Sequence, residues 1–148
     1  MSDADAVAPA WHEALPFTLW RAHTVVHKRV LAALADIDVT ATQLGFAVQL
    51  STHGMLSGSE LARLLKVTPQ SAAAALLQLE ERAWVVRVPH PTHGKIILYR
   101  LTPAGKDIVT QGRARMSAVD AELSALLGRE RVSGLARELT ALAADLDP

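Results

Sequence analysis

The chain has 148 residues, half of them apolar and a fifth charged, which suits one ordinary globular domain and excludes a disordered polar chain. With no cysteine, it can hold no disulfide, thiolate zinc site or thiol redox switch. Basic and acidic side chains balance at 15 each, and no apolar run reaches the length of roughly eighteen residues that a membrane span needs.

The first ten residues carry Asp3 and Asp5 and no basic residue, so they lack the positive start of a secretory signal; a soluble cytoplasmic protein is expected. From Pro9 to about Asp36 helix formers dominate, interrupted early by Pro16, and Leu19, Val26, Val30 and Leu34 recur at helical spacing. Asp38 or Thr40 can cap a second helix through Leu44, Phe46, Val48 and Leu50, fading at His53-Gly54. Ser57-Gly58-Ser59-Glu60 has the form of a capping box and opens a short helix to about Lys66, with Leu61, Leu64 and Leu65 inward. Thr68-Pro69 supplies an N-cap and a first-turn proline for a helix running to about Arg82, with Ala72, Leu76 and Leu79 on its apolar face.

After Ala83 the period changes. Trp84–Val88 and Lys95–Leu101 are β-prone, and the Pro- and Gly-bearing loop between them predicts a hairpin. Thr102-Pro103 repeats the cap and starts a long helix to about Leu127, broken by Gly128. A last helix carries Val132, Leu135, Leu139, Leu142 and Leu146 at near-heptad spacing. The fold class is mainly α with a small β-hairpin wing. A single domain over 1–148 is expected, with a winged helix-turn-helix at about 38–102 between terminal helices at about 10–36 and 103–146.

Charge is segregated within the neutral total. Between Met55 and Lys106 lie Arg63, Lys66, Arg82, Arg87, Lys95, Arg100 and Lys106 against Glu60, Glu80 and Glu81, so the middle carries +4 and the flanks −4. A basic middle suits a duplex-binding core, because a recognition helix fits the major groove and a basic hairpin reaches phosphates or the adjacent minor groove.

The run 56–65 (Leu-Ser-Gly-Ser-Glu-Leu-Ala-Arg-Leu-Leu), Val-Thr-Pro-Gln-Ser at 67–71, Leu-Gln-Leu-Glu-Glu-Arg-Ala-Trp-Val at 77–85 and Arg-Leu-Thr-Pro-Ala-Gly at 100–105 stand in one order and spacing, after Leu-Trp-Arg-Ala-His at 19–23. Together they resemble the MarR family of bacterial transcription regulators, from about Leu15 to Leu146. The resemblance implies a homodimer with interlocked terminal helices. It also implies two winged heads on an inverted-repeat operator in double-stranded DNA, usually for repression, with release by a small aromatic or phenolic ligand. The terminal helices independently carry more apolar surface than one small head can cover, which favours association.

Three departures from the family pattern stand out. Where the recognition helix usually has a basic residue, this chain has Ala74, within Ala72–Ala75. Its reading groups are then Gln70, Ser71 and Gln78: Gln can pair with adenine, and an alanine methyl can touch a thymine methyl. Leu77 points outward with no assigned role. The wing's usual Asp-x-Arg is His93-Gly94-Lys95, which replaces a rigid fork by a point charge, while His90 nearby adds charge when protonated. Ala83 replaces a usual glycine, which suggests a less strained turn. Lys95 and Arg87, with Arg63 and Arg82 as phosphate contacts, complete the expected interface, and weak or salt-sensitive binding is expected.

For a ligand cleft the resemblance points to Trp20, His23, His27, Phe46 and Gln49; residues 20, 23 and 27 share a helix face, and Trp20 also reads as core. His23 and His27 have the i, i+4 spacing that can chelate a metal, but only Asp36 and Asp38 lie near in sequence, so no metal and no cofactor are expected. No Gly-rich phosphate loop, nucleophile elbow or His-Glu-x-x-His run is present, so no enzyme is expected. The alternatives are a ligand- or protein-binding dimer that has lost DNA contact, favoured by the alanine-rich helix, and a metal sensor, favoured by the paired histidines.

Overall fold

The computed structural model describes residues 10–147. Residues 1–9, on which the missing secretory start and the helical onset at Pro9 were read, lie outside the described residues, as does Pro148. Six α-helices and three short strands follow: α1 (Leu15–Leu34), a 3-10 turn (Ala35–Ile37), α2 (Ala41–His53), β1 (Met55–Ser57), α3 (Gly58–Leu64), α4 (Pro69–Glu81), β2 (Val85–Pro89), β3 (Ile97–Leu101), α5 (Pro103–Leu127) and α6 (Arg129–Leu146). No single described helix is long and apolar enough to cross a membrane.

Local chemistry sets these boundaries. Thr40, rather than Asp38, caps α2 in a full capping box with Gln43, and Ser57 caps α3 in another with Glu60. Thr68 accepts from the Ser71 N–H at the start of α4, and Thr102 accepts from the Gly105 N–H at the start of α5. Each cap satisfies a backbone donor that has no partner within its helix. Pro16 does not interrupt α1, because it sits in the first turn, where its missing N–H breaks no helical bond.

The sheet has three strands, not the two of the expected hairpin. Its order is β1-β3-β2, with Leu56 opposite Tyr99 and Arg87 opposite Tyr99 on the other side. β1 is only three residues long, too short for alternation to mark it, and Leu56 alone turns into the core.

Two cores result. Phe46, Leu50, Leu61, Leu76, Leu79, Val85, Leu101 and Val109 fill the head. Leu34, Val39, Leu44 and Ile108 form a second cluster where α1, α2 and α5 meet. Adjacent residues of α5, Ile108 and Val109, feed one cluster each, so this helix joins the head to the terminal helices. Two ion pairs brace the junction. Asp36 accepts from Arg115 of α5, which holds its carboxyl below the usual carboxylate range. Arg82, at the end of α4, bonds the Asp38 carboxylate and carbonyl and lies 4.4 Å over the Trp84 ring.

α1 and α6 leave much apolar surface open. No residue of α6 is buried, and Leu135 is 51% exposed. On α1, Leu34 is buried, but Trp20 is 60% exposed, which corrects its reading as core. Leu64 was expected inward and is 40% exposed, because α3 ends there and its inward positions are Leu61 and Ala62.

Ala83 overturns the expectation of a relaxed turn. Its φ is +55°, the left-handed region that costs a side chain bearing a Cβ about 1–2 kcal/mol. The turn is held by the Ala83 N–H to the Glu80 carbonyl at 2.8 Å and by Thr102 Oγ1 donating to the Ala83 carbonyl at 2.6 Å. Ala83→Gly is therefore expected to stabilise the chain by about 1 kcal/mol and raise Tm by about 3 °C; calorimetry at one protein concentration checks it.

Candidate nucleic-acid interface

α3 and α4 are joined by a tight turn through Lys66, at φ +53°, and the Val67 N–H returns to the Ala62 carbonyl at 3.0 Å. Ala72, Ala75, Leu76 and Leu79 seat α4 on the head. With 3.6 residues per turn, the opposite face carries Gln70, Ala73, Ala74, Leu77 and Glu81, and all five are exposed. The expected reading residues Gln70 and Ala74 stand on this face.

Two others are tied down. Ser71 Oγ accepts from Thr68 Oγ1 at 2.9 Å as part of the cap. Gln78 is exposed at its edge, but its Oε1 accepts from Gln43 Nε2 at 2.9 Å. Gln43 is the buried polar residue of the core, and its own Oε1 accepts from the Thr40 N–H at 3.1 Å. Gln78 thus fixes α4 against α2. A spacing rule along one helix cannot reveal a bond to a residue 35 positions away.

The basic residues divide in the same way. Among the described residues, Arg63 and Lys95 form no ion pair, and both are exposed. Arg82 is bound to Asp38, which makes it a brace of the helix junction rather than a free phosphate contact. Arg87 donates to both carboxylate oxygens of Glu80, at 2.7 and 3.0 Å, and Glu80 with the neighbouring Tyr99 raises its pKa further. The pair locks β2 to α4, with the guanidinium edge still at the surface.

The wing loop is built around a histidine. His90 Nδ1 accepts from the backbone N–H groups of Thr92 at 3.2 Å and His93 at 3.1 Å. The His90 N–H closes the loop on the Ile96 carbonyl at 3.0 Å. Through these ring-to-backbone contacts His90 acts as a turn former in the wing loop. His93 lies beside it at 5.0 Å between ring centroids, and Gly94 and Lys95 stand at the tip. A shallow groove of about 420 Å³ runs between the wing and α4, lined by Ser59, Pro69, Ala73, Lys95, Ile96 and Ile97 among others. Ala73, Ile96 and Ile97 were not singled out from the sequence; counting the wheel outward from Leu76 and Leu79 finds Ala73.

The residues expected to form a ligand cleft do not come together within one chain. Phe46 is wholly buried in the head core, which removes it from any open cleft. Gln49 is half-buried on α2, while Trp20, His23 and His27 stand exposed on α1. Trp20 stacks on Phe17 at 5.5 Å, and the His23 and His27 rings stack at 5.4 Å. Among the described residues, no three of His, Asp and Glu gather as a metal-binding group.

A capped helix pair with a tight turn, an outward second helix and a basic β-wing define a winged helix-turn-helix protein. Residues 37–96 match the model of the MarR family. The chain is 30% identical to the HTH-type transcriptional repressor Rv2887 of Mycobacterium tuberculosis over 131 residues, which is 88% of this chain and 94% of that protein. It is 30% identical to the multiple antibiotic resistance protein MarR of Salmonella typhimurium over 82 residues, 55% of this chain and 57% of that one. Among solved structures, the transcriptional repressor CouR bound to a 23-mer DNA duplex superposes with a TM-score of 0.85 at 25% identity, covering 88% of this chain and 93% of that one. Rv2887 in complex with salicylic acid superposes with a TM-score of 0.70 at 30% identity, covering 87% and 96%. The chain belongs to the MarR family of transcription regulators.

Proposed function

We propose that this chain is a homodimeric repressor that binds an inverted-repeat operator and leaves it when a small aromatic or phenolic anion binds. The winged head at about 38–102 contacts DNA, and the terminal helices at about 10–36 and 103–146 pair the two copies. The observation that carries this reading is α4 itself: a capped helix seated by four apolar residues, with its other face open beside a wing that ends in an unpaired Lys95. The similar repressor CouR was solved on a DNA duplex, which supports the same use of this head. Gln70 reads the bases, while Arg63 and Lys95 hold phosphates. The chain acts by binding, with no catalytic role.

The ligand assignment draws support from Rv2887, whose structures hold salicylic acid and p-aminosalicylic acid. In this chain Trp20, His23 and His27 offer an aromatic wall and two imidazoles to such an anion, completed by the second copy.

Lys95 tests the reading. As a point charge on phosphate, its loss in Lys95→Ala weakens binding by a similar factor on every duplex and lowers the log–log salt slope by about 1. Gln70→Ala changes preference at one base pair per half-site instead, at a cost of about 1–3 kcal/mol. Fluorescence anisotropy from about 50 to 200 mM salt reads both. An unchanged slope in Lys95→Ala removes the wing from the interface.

A further inference from the structure

From the outward face of α4 we infer that this head recognises thymine methyl groups, with Leu77 at the centre of the contact and Ala73 and Ala74 beside it. The inference rests on the DNA-binding reading above and names what that interface selects.

Leu77 is 53% exposed although leucine is a core residue by preference. It stands on the line directly opposite the buried Ala72, Ala75, Leu76 and Leu79. Around it several polar atoms of α4 are engaged within the head. The Ser71 hydroxyl is bonded to Thr68, the Gln78 carbonyl oxygen to Gln43, and both Glu80 oxygens to Arg87. Gln70 keeps a free amide at the N-terminal end of the line, and Glu81 a carboxylate at the other. Between them the face is Ala73, Ala74 and Leu77, continuous through Ala73 with Ile96 and Ile97 of the wing groove.

In the major groove every base edge presents donors or acceptors, and the one apolar group is the C5 methyl of thymine. A leucine pressed on a G·C edge strips water from hydrogen-bonding groups and returns no partner. Pressed on a thymine methyl, it buries apolar surface on both sides. The alanines shorten the helix surface, so the backbone of α4 can approach closely enough for Leu77 to reach. The half-site should therefore hold thymine opposite Leu77, with adenine reading by Gln70 nearby.

Deoxyuridine is the probe, since it removes the methyl and keeps every hydrogen-bonding edge. The full-length dimer is titrated with the operator recovered from random duplexes, and with the same operator carrying deoxyuridine at each thymine in turn. One position per half-site is expected to lose about fourfold in affinity, the value of one buried methyl. In Leu77→Ala, an exposed position that leaves the core intact, that penalty shrinks to within twofold. Equal affinity of the wild-type protein for thymine and uracil duplexes overturns the inference and leaves DNA binding standing. An unchanged uracil penalty in Leu77→Ala overturns the assignment to Leu77. Failure to recover any enriched duplex overturns the DNA-binding reading and this inference together.

Discussion

Leu135→Glu combined with Leu139→Glu is expected to turn a dimer into a monomer and lower operator affinity by at least about a hundredfold. Both leucines lie on α6, which buries no residue of its own, and they are 51% and 37% exposed in the single chain. Leu126 and Leu127 at the end of α5 and Leu146 of α6 are also exposed, as are Leu15, Trp20 and Val25 on α1. A covered leucine is worth roughly 1.5–3 kcal/mol, and a carboxylate in its place adds the cost of burying a charge. The head core contains neither position, so each monomer keeps a folded head with only one half-site contact. Sedimentation equilibrium and duplex titration measure the two effects. A variant that stays dimeric contradicts the assignment of α6 to the interface.

Gly105→Ala is expected to destabilise the fold by about 3 kcal/mol and lower Tm by roughly 10 °C. Gly105 is in the first turn of α5, where an added Cβ would collide with the Trp84 carbonyl oxygen and stand 3.0 Å from the Trp84 carbonyl carbon. That oxygen already accepts from the Thr102 N–H at 3.0 Å, so the contact joins two backbones and neither can yield. Relief requires α5 to swing away from the base of the wing, which loosens Leu101 and Val109 in the head core. Gly94, at the wing tip with open space around it, is the control, and Gly94→Ala should be close to neutral. Equal thermal stability of the two variants would show that α5 does not depend on this approach.

The caps were the part of the fold most readable in the chain. Ser57, Thr68 and Thr102 each act on donors within three residues, and all three hold their helices as expected. What escaped was set by distance or by a second copy. β1 gains its meaning only from pairing with β3, more than forty residues on. Ala83 was expected to relax its turn, yet bonds from Glu80 and Thr102 hold it at positive φ. The resemblance pointed to Phe46 for a cleft, but α2 turns it into the head core.

The expected contact residues divide by what they touch within the chain. Gln70, Lys95 and Arg63 stand free at the surface. Arg82, Arg87 and Gln78 looked equally available, and each has a partner within the chain: Asp38, Glu80 and Gln43. With those three engaged in intramolecular bonds, Arg63 and Lys95 are the expected cations left unpaired among the described residues, beside a largely apolar face of α4. A shallow salt slope, set by the small number of phosphate contacts, and a preference built on methyl groups both follow from that balance.

Selection of the purified dimer against random duplexes at low salt tests the central claim. Recovery of an inverted repeat, with half-site centres about 10 base pairs apart and two chains bound per duplex, is the predicted result. Recovery of no enriched sequence, or of a lone half-site bound by one chain, would contradict it.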